Sequence, residues 1–446
     1  MVHLIKIKLR GYYLMKVAAI IAEYNPFHQG HSYQISETRR ITGADYVLVI
    51  MSGNFVQRGA PAICNKYVRT KMALLGGADA VIELPSLYAV SSAEYFAQGA
   101  VTLLETLQTV DFLSFGSECG DLSRLAAVAS RLVSEDSAYQ SALSSFLRKG
   151  CSFPEARAKA LTSLDENNAE LLASPNNILG IEYCKSLLAS HSQIRPFTVK
   201  RSGSDYHDSA LANPEGDFSS ASAIRRAACA SFSCDKSDAS EGIDFESIKA
   251  HMPSACFAPF QAEILSASPI TEDDFSSLLH YKLLSEMENG FSEYLDCTPD
   301  LSDKICSNLP SYIGFSDFCE KLKSKDVTYT RLSRVLLHIL LGIKTPDTYL
   351  TPFTQRALYV PYARLLGFRE GASALLKKLK QKSRIPLLSK LADAETLLTK
   401  EGYAFLKQDL FCASVYETAV CAKKRGTALN EFRQSPIHMK GHTIHD

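Results

Sequence analysis

The residues best suited to chemistry stand near the amino terminus, in the run His28-Gln29-Gly30-His31. The run follows a short apolar segment, Val17–Ala22, and leads into a stretch of helical character, His31–Thr42. It therefore sits at a strand-to-helix turn. A helix amino terminus offers unpaired N–H groups and a positive dipole end to a phosphate. Ligands of open α/β sheets bind beyond the carboxyl ends of the strands. Two imidazoles add donors aimed at the same place, and Gly30 leaves room for a nucleotide to approach the backbone. The expected chemistry is phosphate binding, with His28 and His31 stabilising charge as a leaving group departs.

A second run, Phe218-Ser219-Ser220-Ala221-Ser222-Ala223-Ile224-Arg225, places hydroxyls before a helix that carries an arginine. Serines cap such a helix, and Arg225 is placed to neutralise phosphate charge. Neither the P-loop pattern G-x-x-x-x-G-K-[ST] nor G-x-G-x-x-G occurs. The H-x-G-H and the later serine-rich run with Ile224-Arg225 together resemble the nucleotidylyltransferase superfamily.

Further runs narrow the resemblance. Glu23-Tyr24-Asn25-Pro26-Phe27 precedes the histidines. Met51-Ser52-Gly53-Asn54-Phe55-Val56-Gln57-Arg58-Gly59, Phe115-Gly116-Ser117-Glu118, Ser174-Pro175-Asn176-Asn177-Ile178-Leu179-Gly180 and Lys200-Arg201 follow in order. In this the chain is similar to the bacterial tRNA(Met) cytidine acetate ligase family, from about Val17 to about Leu341. The resemblance implies activation of acetate with ATP to acetyl-adenylate and pyrophosphate, then acetylation of the wobble cytidine of elongator tRNA(Met) to 4-acetylcytidine. It implies an ATP loop of Ile21, Ala22, Glu23, Tyr24, Asn25, Pro26, Phe27, His28, Gln29, Gly30, His31, Ser32, Tyr33 and Gln34. It adds Gly116, Asn176 and Arg201 as further ATP contacts, with Asn177 the alternative to Asn176, and Mg²⁺ as the expected companion of ATP. Acetate resembles a glutamate side chain, whose pKa is near 4.3, so it is ionised at neutral pH and the first step needs no general base. A small-cofactor adenylyltransferase of the same superfamily, or a non-catalytic nucleotide- or RNA-binding protein, is the rival expectation.

These residues need a scaffold. Apolar segments at Val17–Ala22, Tyr46–Met51, Ala80–Leu84 and Asp111–Phe115 alternate with helical patterns. That alternation predicts βαβ units and a parallel sheet, with Phe197–Lys200 as a further strand. The expected fold class is α/β: a Rossmann-like parallel-sheet nucleotidyltransferase domain over 15–234, then an α-rich C-terminal domain over 243–422. The polar run at 235–242 is the expected linker, 1–14 an amino-terminal extension before Met15, and 423–446 a flexible tail.

Length and composition set the remaining bounds. At 446 residues, with 46% hydrophobic and 22% charged residues, two globular domains are expected. No apolar run reaches the roughly 18–20 residues that span a bilayer, so no membrane partner is expected. Twelve cysteines without a C-x-x-C suggest reduced thiols and a cytoplasmic protein, and no metal-ligand cluster is visible. The zero formal net charge is unevenly spread: residues 321–446 hold 22 Lys and Arg against 10 Asp and Glu, leaving 26 against 38 in residues 1–320. A basic final third suggests a polyanion, here tRNA, and the densest run, Lys377, Lys378, Lys380, Lys382 and Arg384, supplies candidate phosphate contacts.

Overall fold

In a computed structural model, residues 15–201, 211, 218–230, 244–345, 358–424 and 426–440 are described. The expected extension at 1–14 and linker at 235–242 lie outside them. Strands β1 (Val17–Ala22), β2 (Tyr46–Ser52), β3 (Ala80–Leu84), β4 (Phe112–Ser117) and β5 (Arg195–Lys200) form the parallel sheet that the alternation predicts. Their spatial order is β3-β2-β1-β4-β5. The order reverses beside β1, and such a switch point opens a crevice at the carboxyl ends of the two central strands.

The side chains explain why these segments are strands. Val17, Ala19, Ile21, Leu48, Ile50, Ala80, Ile82 and Leu84 pack into one core, and Ile20, Val47, Val49, Met51 and Val81 into another. Alternate residues thus serve opposite faces of a sheet buried on both. Helices α1 (Gln29–Thr42) and α2 (Lys66–Leu75) supply residues to the second core. The first draws on α3 (Ala93–Leu107), α4 (Leu122–Ser134) and α5 (Pro175–Ala189).

The carboxyl-terminal part is rich in helix, as expected, and also returns to the sheet. Three further strands, β6 (Ala363–Arg369), β7 (Leu387–Leu388) and β8 (Ile437–Met439), extend the same sheet beyond β3. β6 runs antiparallel to β3 and pairs Arg364 with Glu83. Within the segment expected to be a flexible tail, described residues are tied down: Lys423 Nζ lies 2.8 Å from Asp274 Oδ2, Glu431 is buried, and Ile437–Met439 pairs with Gly367–Arg369. The short apolar alternation of β6 is masked in sequence by its basic flanks, and β8 has too few residues to show a period.

Candidate active site

The loop after β1 reaches the switch point through Tyr24, which adopts a left-handed φ of 49°. His28 then caps α1 with an extended backbone. Its Nδ1 accepts the Gly30 N–H at 3.1 Å, while its own N–H donates to His31 Nδ1 at 3.2 Å. This is a capping box built from two imidazoles in place of the usual hydroxyl and carboxyl. The rings lie face to face, centroids 3.7 Å apart and tilted 32°.

The box fixes the chemistry of the pair. Each Nδ1 lone pair is spent on a backbone N–H, so each neutral ring carries its proton on Nε2. Burial, with Arg201, Arg225 and His251 nearby, lowers the His28 pKa to about 3. Burial, His28 and Arg201 hold His31 well below the ordinary histidine value. The site therefore presents two neutral Nε2–H donors rather than two cations. Ring ¹⁵N spectra of the ligand-free protein should show His28 in this tautomer, unchanged between about pH 5 and 8; a ring that protonates in that range would contradict the assignment. Below the unfolded value of 6.5 the unfolded chain takes up protons that the folded rings refuse, so this pair lowers stability as pH falls toward about 3 and costs nothing above 6.5.

Gly30 acts differently from expectation. A Cβ there would lie 2.9 Å from His28 Cε1 and 3.1 Å from its Nδ1. The glycine makes room first for the His28 ring. Phe27 has a similar dependence on Gly76, where a Cβ would fall 2.1 Å from the Phe27 Cζ. Phe27 packs on Tyr24 and His31, with ring centroids 4.8 and 5.5 Å away. Gly76→Ala should thus cost about 1–3 kcal/mol in urea denaturation; wild-type stability would show that the loop has slack.

Beyond the histidines opens a cavity of about 740 Å³. Arg225 lines it and donates from Nη1 to Asn25 O at 2.6 Å and from Nη2 to Ser222 Oγ at 3.0 Å. Asn25 Oδ1 accepts from Ile63 N at 2.8 Å. Arg201 lines the cavity beside Gly116, its Cγ 3.4 Å from where a Gly116 Cβ would stand. Asn176 also faces the cavity, its Nδ2 held by Glu118 Oε1 at 2.7 Å. Asn177 is buried instead, and its Oδ1 accepts from Cys119 N at 3.1 Å. The same carboxylate receives both amides at the start of α5, because Glu118 Oε2 accepts the Asn177 N–H at 2.9 Å.

The chain from residue 15 to residue 430 matches the family model described as HIGH Nucleotidyl Transferase. A tRNA(Met) cytidine acetate ligase of Clostridium novyi is 38% identical over 430 residues, which cover 96% of this chain and all of that one. The chain belongs to the tRNA(Met) cytidine acetate ligase family. The Caldicellulosiruptor saccharolyticus ligase is 37% identical over 95% of this chain and 99% of its own. The crystal structure of apo Thermotoga maritima TmcAL superposes with a TM-score of 0.85 at 29% identity, covering 96% of this chain and 100% of that one. The same protein bound with alpha-thio ATP gives 0.82 with equal coverage.

Set against what membership of this ligase family implies for single residues, the structure groups most of the named positions. Ile21, Ala22, Glu23, Tyr24, Asn25, His28, His31, Gln34, Gly116, Asn176, Arg201 and Arg225 line the large cavity. Gly30 and Tyr33 face a smaller adjoining one with Lys200 and Ser219. Pro26, Phe27, Gln29 and Ser32 line neither. Phe27 is core, Gln29 bonds to the carbonyls of Ala250 and His251, and Ser32 reaches Gly76 O at 3.5 Å.

The basic run is not brought to the cavity. β6 is antiparallel, so helix α6 (Ser373–Lys382), which follows it, lies at the amino ends of the parallel strands. Lys378 Nζ donates to Met15 O at 3.0 Å, beyond the start of β1 and at the opposite end of that strand from His28. Lys377, Lys380, Lys382 and Arg384 are exposed around it.

Two groups of site residues escape a sequence search. Arg69 is fully buried and gathers carbonyls from the ends of β1 and β2: Glu23 O at 2.7 Å, Ser52 O at 3.1 Å and Gly53 O. An arginine inside a helix carries no sequence mark of that task. Thr271, Glu272, Tyr329, Thr330 and Ser333 close the far wall of the cavity from elements more than two hundred residues beyond the histidines. Only the folded chain shows that proximity.

Proposed function

We propose that this chain activates acetate with ATP to acetyl-adenylate, releasing pyrophosphate, and then acetylates the wobble cytidine of elongator tRNA(Met). The observation that carries this is the pair of imidazoles at the head of α1, each with its Nδ1 taken by a backbone N–H, lining one cavity with Arg201 and Arg225. Attack on an α-phosphorus is helped by fixed donors that meet charge as it develops. Neutral imidazoles do this without gaining or losing a proton, and the two guanidiniums supply the formal charge. Acetate arrives already ionised and serves as the nucleophile.

Mg²⁺ is expected to enter with the ATP phosphates. Among the described residues no group of three His, Cys, Asp or Glu forms a metal cage. Mg²⁺ needs none, since phosphates and water hold it with one or two carboxylates; on the cavity wall Glu23, whose Oε1 accepts from Gln57 N at 2.9 Å, would be the carboxylate at hand. Among the described residues no helix is long and apolar enough to cross a membrane.

Labelled acetate and pyrophosphate test the proposal. Pyrophosphate exchange into ATP should require acetate and proceed without RNA, and labelled acetyl should then pass to unmodified tRNA(Met). Exchange with no need for acetate, or acetyl passed to a small cofactor instead of RNA, would overturn it.

A further inference from the structure

The first chemical step needs no base, but the second does. When the exocyclic amine attacks acetyl-adenylate, a C–N bond forms, the bond from the acyl carbon to the phosphate oxygen breaks, and AMP leaves. The amine must also shed a proton. The histidines do not serve: each Nδ1 is occupied by a backbone N–H and each Nε2 already carries hydrogen.

The run Glu272-Asp273-Asp274 forms a 3₁₀ turn on the far wall. Two of its carboxylates are structural. Asp273 Oδ1 accepts from Ser316 N at 2.9 Å. Asp274 Oδ2 accepts from Thr271 N at 2.7 Å and pairs with Lys423 at 2.8 Å. Glu272 lines the cavity, and its carboxylate is met by its own backbone N–H, with Arg225 as a nearby cation.

Its position relative to the histidines is set by a chain of contacts. Ile270 N donates to Ile63 O at 3.4 Å. Ile63 N donates to Asn25 Oδ1 at 2.8 Å, and Asn25 O accepts from Arg225 at 2.6 Å. Glu272 is thus tied, two residues from Ile270, to the loop that carries His28, and both residues line the one cavity. Tyr329 and Cys229 line the same space, and the Glu272 charge helps raise the pKa of both. Burial raises that of Glu272 itself, while its own backbone N–H and then Arg225 pull it down.

We propose that Glu272 accepts the proton of the cytosine exocyclic amine as acetyl transfers, with Tyr329 flanking the flipped base in this half of the cavity. A carboxylate is the natural partner of that amine, and a flipped base is commonly held between an aromatic ring and such a hydrogen bond. The proton passes from the amine nitrogen to a Glu272 oxygen, and then to solvent. The inference rests on the function proposed above.

The test compares two reactions in Glu272→Gln and Glu272→Asp: acetate-dependent pyrophosphate exchange, and acetyl transfer to unmodified tRNA(Met). General-base loss commonly costs about 10²–10⁴-fold. The expected result for Glu272→Gln is a loss in transfer at least about 10²-fold greater than any loss in exchange, with part of the transfer restored in Glu272→Asp. Unimpaired transfer overturns the assignment. Equal losses in both reactions also overturn it, because they place Glu272 in adenylation or in folding. If the wild-type protein shows no acetate-dependent exchange, the proposed function is what fails.

Discussion

His28→Ala is expected to slow acetate-dependent pyrophosphate exchange by about 10²–10³-fold, the usual effect of removing one preorganised donor from a developing anion. The substitution also strips α1 of its cap, worth about 0.5–2 kcal/mol. The two effects are separable. His28→Asn retains a side-chain oxygen that can accept the Gly30 N–H, and asparagine is among the favoured caps. It cannot place a donor where the His28 Nε2–H stands. Its exchange rate should therefore fall as far as that of the alanine variant, while its urea midpoint stays nearer the wild type. His31→Ala should behave like His28→Ala, and the double variant should lose less than the product of the two, because the rings act as a unit. Rates within about threefold of wild type for His28→Asn would mean that the ring matters only as a cap, and the role given to Nε2 would be wrong.

The same two histidines show how far sequence carries. Their spacing, between an apolar run and a helical one, announces a phosphate site at a strand end, and the fold places them there. Their protonation is not legible, because it depends first on burial, then on backbone N–H groups and on Arg201 and Arg225, the two arginines brought in from positions far along the chain. Strands β1 to β3 are legible because they are buried on both faces and read as almost continuous apolar runs, whereas β5, RPFTVK at the sheet edge, is only partly buried and reads faintly. β6 is not: it joins antiparallel between β3 and β8, and its Arg364 is tolerated only because Glu83 and Glu431 meet it. The place of the basic run 377–384 is not legible for a related reason. Its charge is real, but strand direction decides which end of the sheet displays it, and composition contains no direction.

The carboxyl-terminal segment supplies the second large effect. Glu431 sits in a buried ionic cluster: its Oε2 lies 3.2 Å from Lys66 Nζ, contacts Arg364 and accepts from Tyr67 Oη at 2.8 Å. Lys66 and Arg364 also share Glu83, at 2.8 and 3.2 Å. Two cations thus face two carboxylates, all nearly excluded from water. Burial alone would raise the Glu431 pKa, but Lys66 and Arg364 hold it down to about 2. Glu431→Ala leaves two buried cations to one carboxylate. Breaking such a pair costs about 3–5 kcal/mol, more than the pair itself contributes, because the stranded charge stays desolvated. Glu431→Gln keeps the volume and should recover part of that loss by accepting from Tyr67 and Arg364. The pH dependence gives an independent check. A depressed carboxylate stabilises the fold fully above its unfolded value of 4.5, and that stabilisation is lost as pH falls toward about 2. Urea midpoints of wild type and Glu431→Gln should therefore converge on acidification from about pH 5 toward about pH 2. A loss under about 1 kcal/mol at neutral pH would mean that water reaches Lys66 and Arg364 once Glu431 is gone. The closing strand would then be an accessory to the sheet; a full loss makes it part of the wall behind Gly53 and the carboxyl end of β2, where Glu83 Oε1 occupies the space beside the glycine.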